Sequence, residues 1–259
     1  EVKDNSLKNS GTDSDTVYSK RSRYYLFSIP TLILIFSVLV FPWVFNFWMS
    51  LNEWDISQSS YFVGFKNYSE LVNDRFVESI TNTLIFTALA VIIPVIFGVY
   101  AAVIFNENFP LRRFVRGIFI LPMMATPVAV ALVWAMMFHP QMGVLNYLLS
   151  LIGLPPSLWV YNTDTVIPSL VAIEVWHWTP LIMLIVLGGL ASLPKEPYES
   201  AVIDGANKWQ IFRHITFPLI LPFIMVAIII RTIDALKTFD TIFAITQGGP
   251  GTASETINI

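Results

Sequence analysis

Apolar residues in this chain gather into long unbroken runs. Four of them, about Tyr24 to Met49, Ile80 to Phe105, Phe114 to Phe138 and Val166 to Leu190, exceed the roughly 20 residues an α-helix needs to cross a hydrocarbon core. A fifth begins near Pro218, a residue suited to a first helical turn. None alternates with the period of two that barrel strands require. The pattern predicts an all-α membrane protein, a polytopic helical bundle with spans at about 24–49, 80–105, 114–138, 166–190 and 218–240. Pro30, Pro42, Pro94, Pro122, Pro127 and Pro180 lie inside the runs; neighbouring helices can satisfy the carbonyls they free, so kinks are expected rather than helix ends.

Ahead of the first run, residues 1–19 are polar, rich in Ser, Asp, Asn and Lys, and read as a disordered tail. The first run is too long and too aromatic for a signal-peptide core, and no small-residue cleavage site follows it, so it stays in the mature chain. Composition agrees with a bilayer as solvent: 55% of residues are hydrophobic and 13% charged, against about 25% charged in soluble domains. There is no cysteine, hence neither a disulfide framework nor a thiolate metal site.

Net charge of −3 matters less than where the cations fall. Lys20, Arg21 and Arg23 precede the first span; Arg112, Arg113 and Arg116 lie between the second and third; Lys195, Lys208 and Arg213 lie between the fourth and fifth. The remaining connections hold Lys66 and Arg75. The positive-inside rule then puts the N-terminus and both basic loops in the cytoplasm. Five spans leave Gly248 to Ile259 outside, and a sixth span missing at the C-terminus is expected. Trp43, Trp48 and Trp54 cluster at the outer end of the first span, with Trp134 and Trp159 near other outer ends; they read as an interfacial aromatic belt, or as rings on which a sugar stacks.

The most informative segment is Tyr198 to Pro218. Glu199 to Ile203 favours a helix, Asp204-Gly205 is a turn pair, and Asn207 can cap a second helix bearing Trp209, Ile211, Phe212 and Ile215. Apolar side chains displayed on a short cytoplasmic helix call for a partner surface, although such a hairpin can also pack under the bundle.

These residues resemble the cytoplasmic signature of permease subunits of binding-protein-dependent ABC importers: Glu-Ala-Ala, three residues, Gly, nine residues, Ile-x-Leu-Pro. This chain reads Glu199-Ser200-Ala201, three residues, Gly205, nine residues, Ile215-Thr216-Phe217-Pro218. Ser200 and Phe217 depart from the pattern while the spacing is intact. The resemblance implies that 20–259 is an importer transmembrane domain whose loop, 194–217, seats in an ATP-binding subunit, with Glu199, Ala201, Asp204 and Gly205 transmitting nucleotide-driven closure. Lys237-Thr238-Phe239-Asp240, Thr246 to Pro250, Thr256, Phe62 to Tyr68 and Asn82-Thr83-Leu84 are similar to carbohydrate-uptake permeases of the maltose and glycerol-phosphate type. That likeness implies uptake of a di- or oligosaccharide. It also implies a second, similar permease subunit, two ATP-binding subunits carrying ATP and Mg, an extracellular sugar-binding protein, and a prokaryotic inner membrane; no nucleic acid is involved.

Within the spans, Arg231 sits about 20 Å and Asp234 about 24 Å from Pro218 by helical rise. Lys237 and Asp240 continue the run at three-residue intervals, so adjacent members can pair along the helix. Glu174, eight residues below the outer end of the antiparallel fourth span, reaches the depth of Arg231, and a contact between the two is expected because a lone charge there costs several kcal/mol. Intramembrane charges line a pathway or form a self-neutralised ladder. Asn82, Glu174, Trp178, Arg231 and Asp234 are the candidate substrate pathway, with Trp176 also able to add stacking surface.

No Gly-rich phosphate loop of the GxxxxGK[ST] type occurs, so hydrolysis must come from other subunits and the chain is a transport subunit rather than an enzyme. His139, His177 and His214 are scattered and lack the spacing of a zinc site; His177 is a satisfied helix residue or a proton relay. The alternative is a self-contained secondary transporter using the buried charges for protons or sodium, which inverted repeats would support and which uptake surviving collapse of the proton gradient would exclude.

Overall fold

The computed structural model describes residues 27–54 and 60–259; the expected tail at 1–19 and the cations at 20–23 lie outside the described residues. Packing separates the chain into two units, one up to Val72 and one from Asn73 on.

In the first unit, α1 (Phe27–Ser50) is apolar all round and buries none of its residues, the character of a helix whose solvent is lipid. It contains a π turn at Phe36–Val40, two residues before Pro42. A short antiparallel ribbon, β1 (Asn52–Glu53) with β2 (Tyr61–Phe62), pairs Asn52 with Phe62. Gly64 turns the chain at φ +59° into α2 (Lys66–Leu71), and the Asn67 amide donates to the Ser50 and Asn52 carbonyls, both at 3.0 Å. The Phe62 to Tyr68 motif is therefore a latch that closes the loop after α1. Lys66 donates to Glu53 at 3.1 Å, and that hydrogen bond holds the ammonium above the ordinary lysine value.

The second unit is built on α3 (Asp74–Asn106), 33 residues long, packed along α7 (Val166–Ala191), with α9 (Lys208–Leu236) against both. Asn73 caps α3, accepting from the Phe76 amide at 3.0 Å. Small residues permit the close crossings: a Cβ on Gly98 would lie 2.6 Å from Ile182, and one on Gly189 would lie 2.5 Å from Phe223, as van der Waals packing between membrane helices requires. Two apolar clusters result. One, around Ala102, Met183 and Ile224, sits toward the Arg112 end; the other, around Phe86, Leu170 and Ile242, sits toward the opposite end.

The expected third span is broken. Its run folds as α4 (Arg112–Met124) and α5 (Pro127–Met137), which meet at 97°. Pro127 has no amide proton and forces Thr126 to extended backbone, ψ 144°, with Ala125 at ψ 148°, so the helix stops at Met124 and restarts on the proline. Pro94, Pro122 and Pro180 stay within helices as expected.

The fifth span starts earlier and ends sooner than its prolines suggest. The second helix of the 194–217 loop is not separate: Lys208 runs through a π turn at Phe212–Thr216 into the membrane helix. As at Pro42, the π turn stands two residues before a proline, Pro218, where the wider turn relieves the clash of its ring with the carbonyl four residues back. At the other end Lys237 closes the helix and the chain reverses into α10 (Asp240–Thr246). Between α5 and α7 lie α6 (Val144–Leu151) and a 3-10 turn at Trp159–Tyr161. Asn146 ties them together, donating to the Pro140 and Ser157 carbonyls and accepting from the Ser157 amide and the Trp159 indole at 2.8–3.0 Å.

Candidate functional site

Pro94 removes the amide that would have bonded to the Ala90 carbonyl one turn back. Arg231 of α9 takes that carbonyl with Nε at 3.1 Å. Its Nη1 donates to Asp234 at 2.6 Å and its Nη2 to Glu174 of α7. The guanidinium also lies 5.2 Å from the centre of the Trp178 ring. Arg231 is 1% and Glu174 2% exposed, burial that is tolerable only because each nitrogen of the fork has a partner. The contact expected between Glu174 and Arg231 is thus present, and the fork adds a third helix through a carbonyl that a proline set free.

Beside this fork is a cleft of about 100 Å³, lined by Glu174, His177, Trp178, Asp234, Lys237 and Asp240 together with Pro127. The charge ladder does not extend past Asp234: the helix ends at Leu236, and Lys237 makes no ion pair among the described residues. Lys237 and Asp240 instead face the cleft from the turn into α10. His177, buried, holds its Nε2 3.2 Å from the Ala125 carbonyl. A carbonyl only accepts, so Nε2 carries the proton and satisfies a backbone oxygen exposed by the break between α4 and α5.

Asn82 is not part of this cleft. Its amide donates to the Thr252 and Glu255 carbonyls at 3.1 and 3.2 Å. The same loop is held by Arg75 to Glu255 at 2.9 Å, Thr252 to Glu78 at 2.8 Å and the Ile257 amide to Thr83 at 3.0 Å. Asn82 is therefore a clamp on residues 248–258. Of the five candidate pathway residues the structure brings together four and leaves Asn82 about the loop. His177, Lys237 and Asp240 join them, and for His177 the only sequence signal was its place one turn beyond Glu174.

At the other end of the unit, α8 (Glu196–Ile203) and the start of α9 form the hairpin read from the sequence. Gly205 has φ +78°; its amide bonds to the Val202 carbonyl at 3.1 Å and the Ala206 amide to the Ala201 carbonyl at 2.9 Å. That pair of bonds is the Schellman ending, which needs a left-handed residue at this position. Asn207 then caps the next helix, exchanging bonds with Gln210 at 2.8 and 2.9 Å. Ala201 is buried and Glu199 borders a cleft of about 670 Å³ between the hairpin and the ends of α3 and α7. Ile203 is 86%, Val202 65% and Trp209 65% exposed, and a Cβ on Gly205 would meet open space. The hairpin thus presents apolar side chains at its tip.

No group of three or more potential metal-ligating side chains occurs among the described residues. The family model for the inner membrane component of binding-protein-dependent transport systems matches residues 94–258. The trehalose/maltose transport system permease of Thermococcus litoralis is 34% identical over 93% of this chain and 83% of its own length. Two solved structures superpose with a TM-score of 0.78. One is a bacterial alginate ABC transporter in complex with an alginate pentasaccharide-bound periplasmic protein, 25% identical, covering 93% of this chain and 81% of that one. The other is a bacterial ABC transporter involved in import of the acidic polysaccharide alginate, 26% identical, covering 93% and 83%. A multi-pass membrane chain with this hairpin and these relatives belongs to the family of binding-protein-dependent transport system inner membrane components.

Proposed function

We propose that this chain is the membrane-spanning subunit of an ATP-driven importer that translocates a di- or oligosaccharide delivered by an extracellular binding protein. The observation that carries the reading is the hairpin: a rigid, doubly capped turn with Val202, Ile203 and Trp209 exposed is the shape of an element that seats in another subunit. Two ATP-binding subunits with ATP and Mg grip it, through Asp204 and Gly205 at the tip and through Glu199 and Ala201 at its root. The names of the relatives support a carbohydrate cargo, and the periplasmic protein in one solved relative supports delivery from outside. The N-terminus and hairpin then lie in the cytoplasm, a placement that the cation distribution supports.

Alternating access follows from two packings of the bundle. Binding of ATP must favour one packing over the other, or nothing moves. The hairpin is continuous with α9 through the π turn at Phe212–Thr216, so closure of the ATP-binding pair acts directly on the helix that carries Arg231 and Asp234. A second, similar permease subunit completes the pathway, to which Glu174, Trp178, Arg231 and Asp234 contribute. Family membership disfavours a self-contained secondary transporter.

The test is Gly205→Trp in the reconstituted importer. The substitution strains a left-handed position and fills the open space at the tip, so transport is expected to fall at least tenfold while the complex still assembles. Transport and ATPase that stay coupled would remove the hairpin from this role.

A further inference from the structure

We propose that the charged cleft selects for uncharged sugars and rejects uronates and other acidic ones. The inference rests on the reading of the cleft as part of a carbohydrate pathway and adds the charge class of the cargo. Family membership does not supply it, since the relatives include permeases named for trehalose and maltose and a transporter of an acidic polysaccharide.

Selection depends on which charges remain available to a ligand. Arg231 is the cation an acidic sugar would seek, yet it is 1% exposed and its Nε, Nη1 and Nη2 are engaged by the Ala90 carbonyl, Asp234 and Glu174, with the Trp178 ring beside its plane. It has no free edge for a bidentate carboxylate. Lys237 is the one Lys or Arg lining the cleft among the described residues, and the same lining holds two accessible carboxylates, Asp240 and the Asp234 side chain, which is 44% exposed. The lining itself sets Glu174, Asp234 and Asp240 against Lys237, and the buried Arg231 behind it offsets one more carboxylate, which leaves a net charge of −1. A carboxylate or sulfonate entering here loses its water, finds no free guanidinium and meets like charge. A neutral pyranose suits the same walls, because its hydroxyls donate to Asp234 and Asp240 and the Trp178 ring offers an apolar surface. Discrimination of this kind works by repulsion of the wrong cargo.

The probes are α-methyl glucoside and α-methyl glucuronide, which differ only at C6. Binding to the assembled importer in nanodiscs at low salt is read by saturation-transfer NMR, without binding protein so that its own specificity does not enter. The glucoside is expected to bind and the glucuronide to bind at least about tenfold more weakly. The gap should shrink in Asp240→Asn, a change at an exposed side chain that leaves the Arg231 fork intact, and should shrink again in 0.5 M salt. Equal or tighter binding of the glucuronide overturns the selectivity and leaves the pathway reading standing. Failure of both sugars to bind overturns the pathway reading and this inference with it. A gap unchanged by Asp240→Asn and by salt shows that shape, not charge, discriminates, and overturns the proposal as well.

Discussion

Arg231 shows how a membrane chain disposes of a charge and of a broken hydrogen bond at once. The proline that frees the Ala90 carbonyl and the arginine that takes it are 137 residues apart in sequence, and each would be costly without the other. Glu174 completes the arrangement from a third helix. Replacing Glu174 with Gln removes the buried counter-charge while keeping the shape, and is expected to destabilise the unit by about 3–5 kcal/mol. Thermal unfolding of the detergent-solubilised complex checks this; an unchanged midpoint would mean that water already reaches the guanidinium. The pairing was legible beforehand because helix rise alone puts Glu174 and Arg231 at one depth. Its third member was not, since a backbone carbonyl carries no residue name. His177 is similar: sequence leaves it between satisfied residue and relay, and only the geometry of the break supplies the Ala125 carbonyl.

Among the elements, hairpin and spans differ in how plainly their residues declare them. Asn207, Asp204-Gly205 and the apolar residues that follow specify cap, turn and helix locally, and the structure has each of them, although the second helix runs on into the membrane helix. Prolines are ambiguous in a membrane, where the same residue stays within α3 at Pro94 and ends α4 before Pro127. The difference lies in which neighbour stands ready to take the freed carbonyl, and that is tertiary information. Pro218 misleads in the opposite direction, marking a π turn within α9 instead of a helix start. The tryptophans also divide: Trp43, Trp48 and Trp54 are 50–79% exposed, whereas Trp134 and Trp159 pack on Phe138 with ring centres 5.3 and 5.5 Å away. Close crossing of α7 and α9 depends on Gly189, where a Cβ would strike Phe223, while its neighbour Gly188 faces open space. Gly189→Ala should therefore cost about 1–3 kcal/mol by overpacking, and Gly188→Ala should be neutral or slightly stabilising. Equal effects in a thermal-shift comparison would mean that the crossing is looser than the structure has it.

Across the whole molecule, polar chemistry collects at the two ends of the second unit and apolar packing fills the length between. At the end opposite the hairpin, residues 248–258 are tied to α3 by Asn82, Thr83, Glu78 and Arg75, so loop and helix form one body. Asn82→Ala leaves two carbonyls without their donor and should speed amide exchange in 248–258 about five- to tenfold without altering exchange in α7; uniform exchange across both segments would show that the clamp is global or idle. At the hairpin end, the proposed mechanism has an ATP-driven partner grip residues 202–209 from the cytoplasm and pull on α9. The chain has no cysteine, so Ile203→Cys, 86% exposed at the tip, gives a single reporter thiol among these 259 residues. In sided vesicles holding the intact importer, that thiol should be labelled only from the cytoplasmic face and should cross-link to the ATP-binding subunit with a yield that changes when ATP binds. Labelling from the outer face, or no cross-link to any nucleotide-binding subunit, would contradict the account.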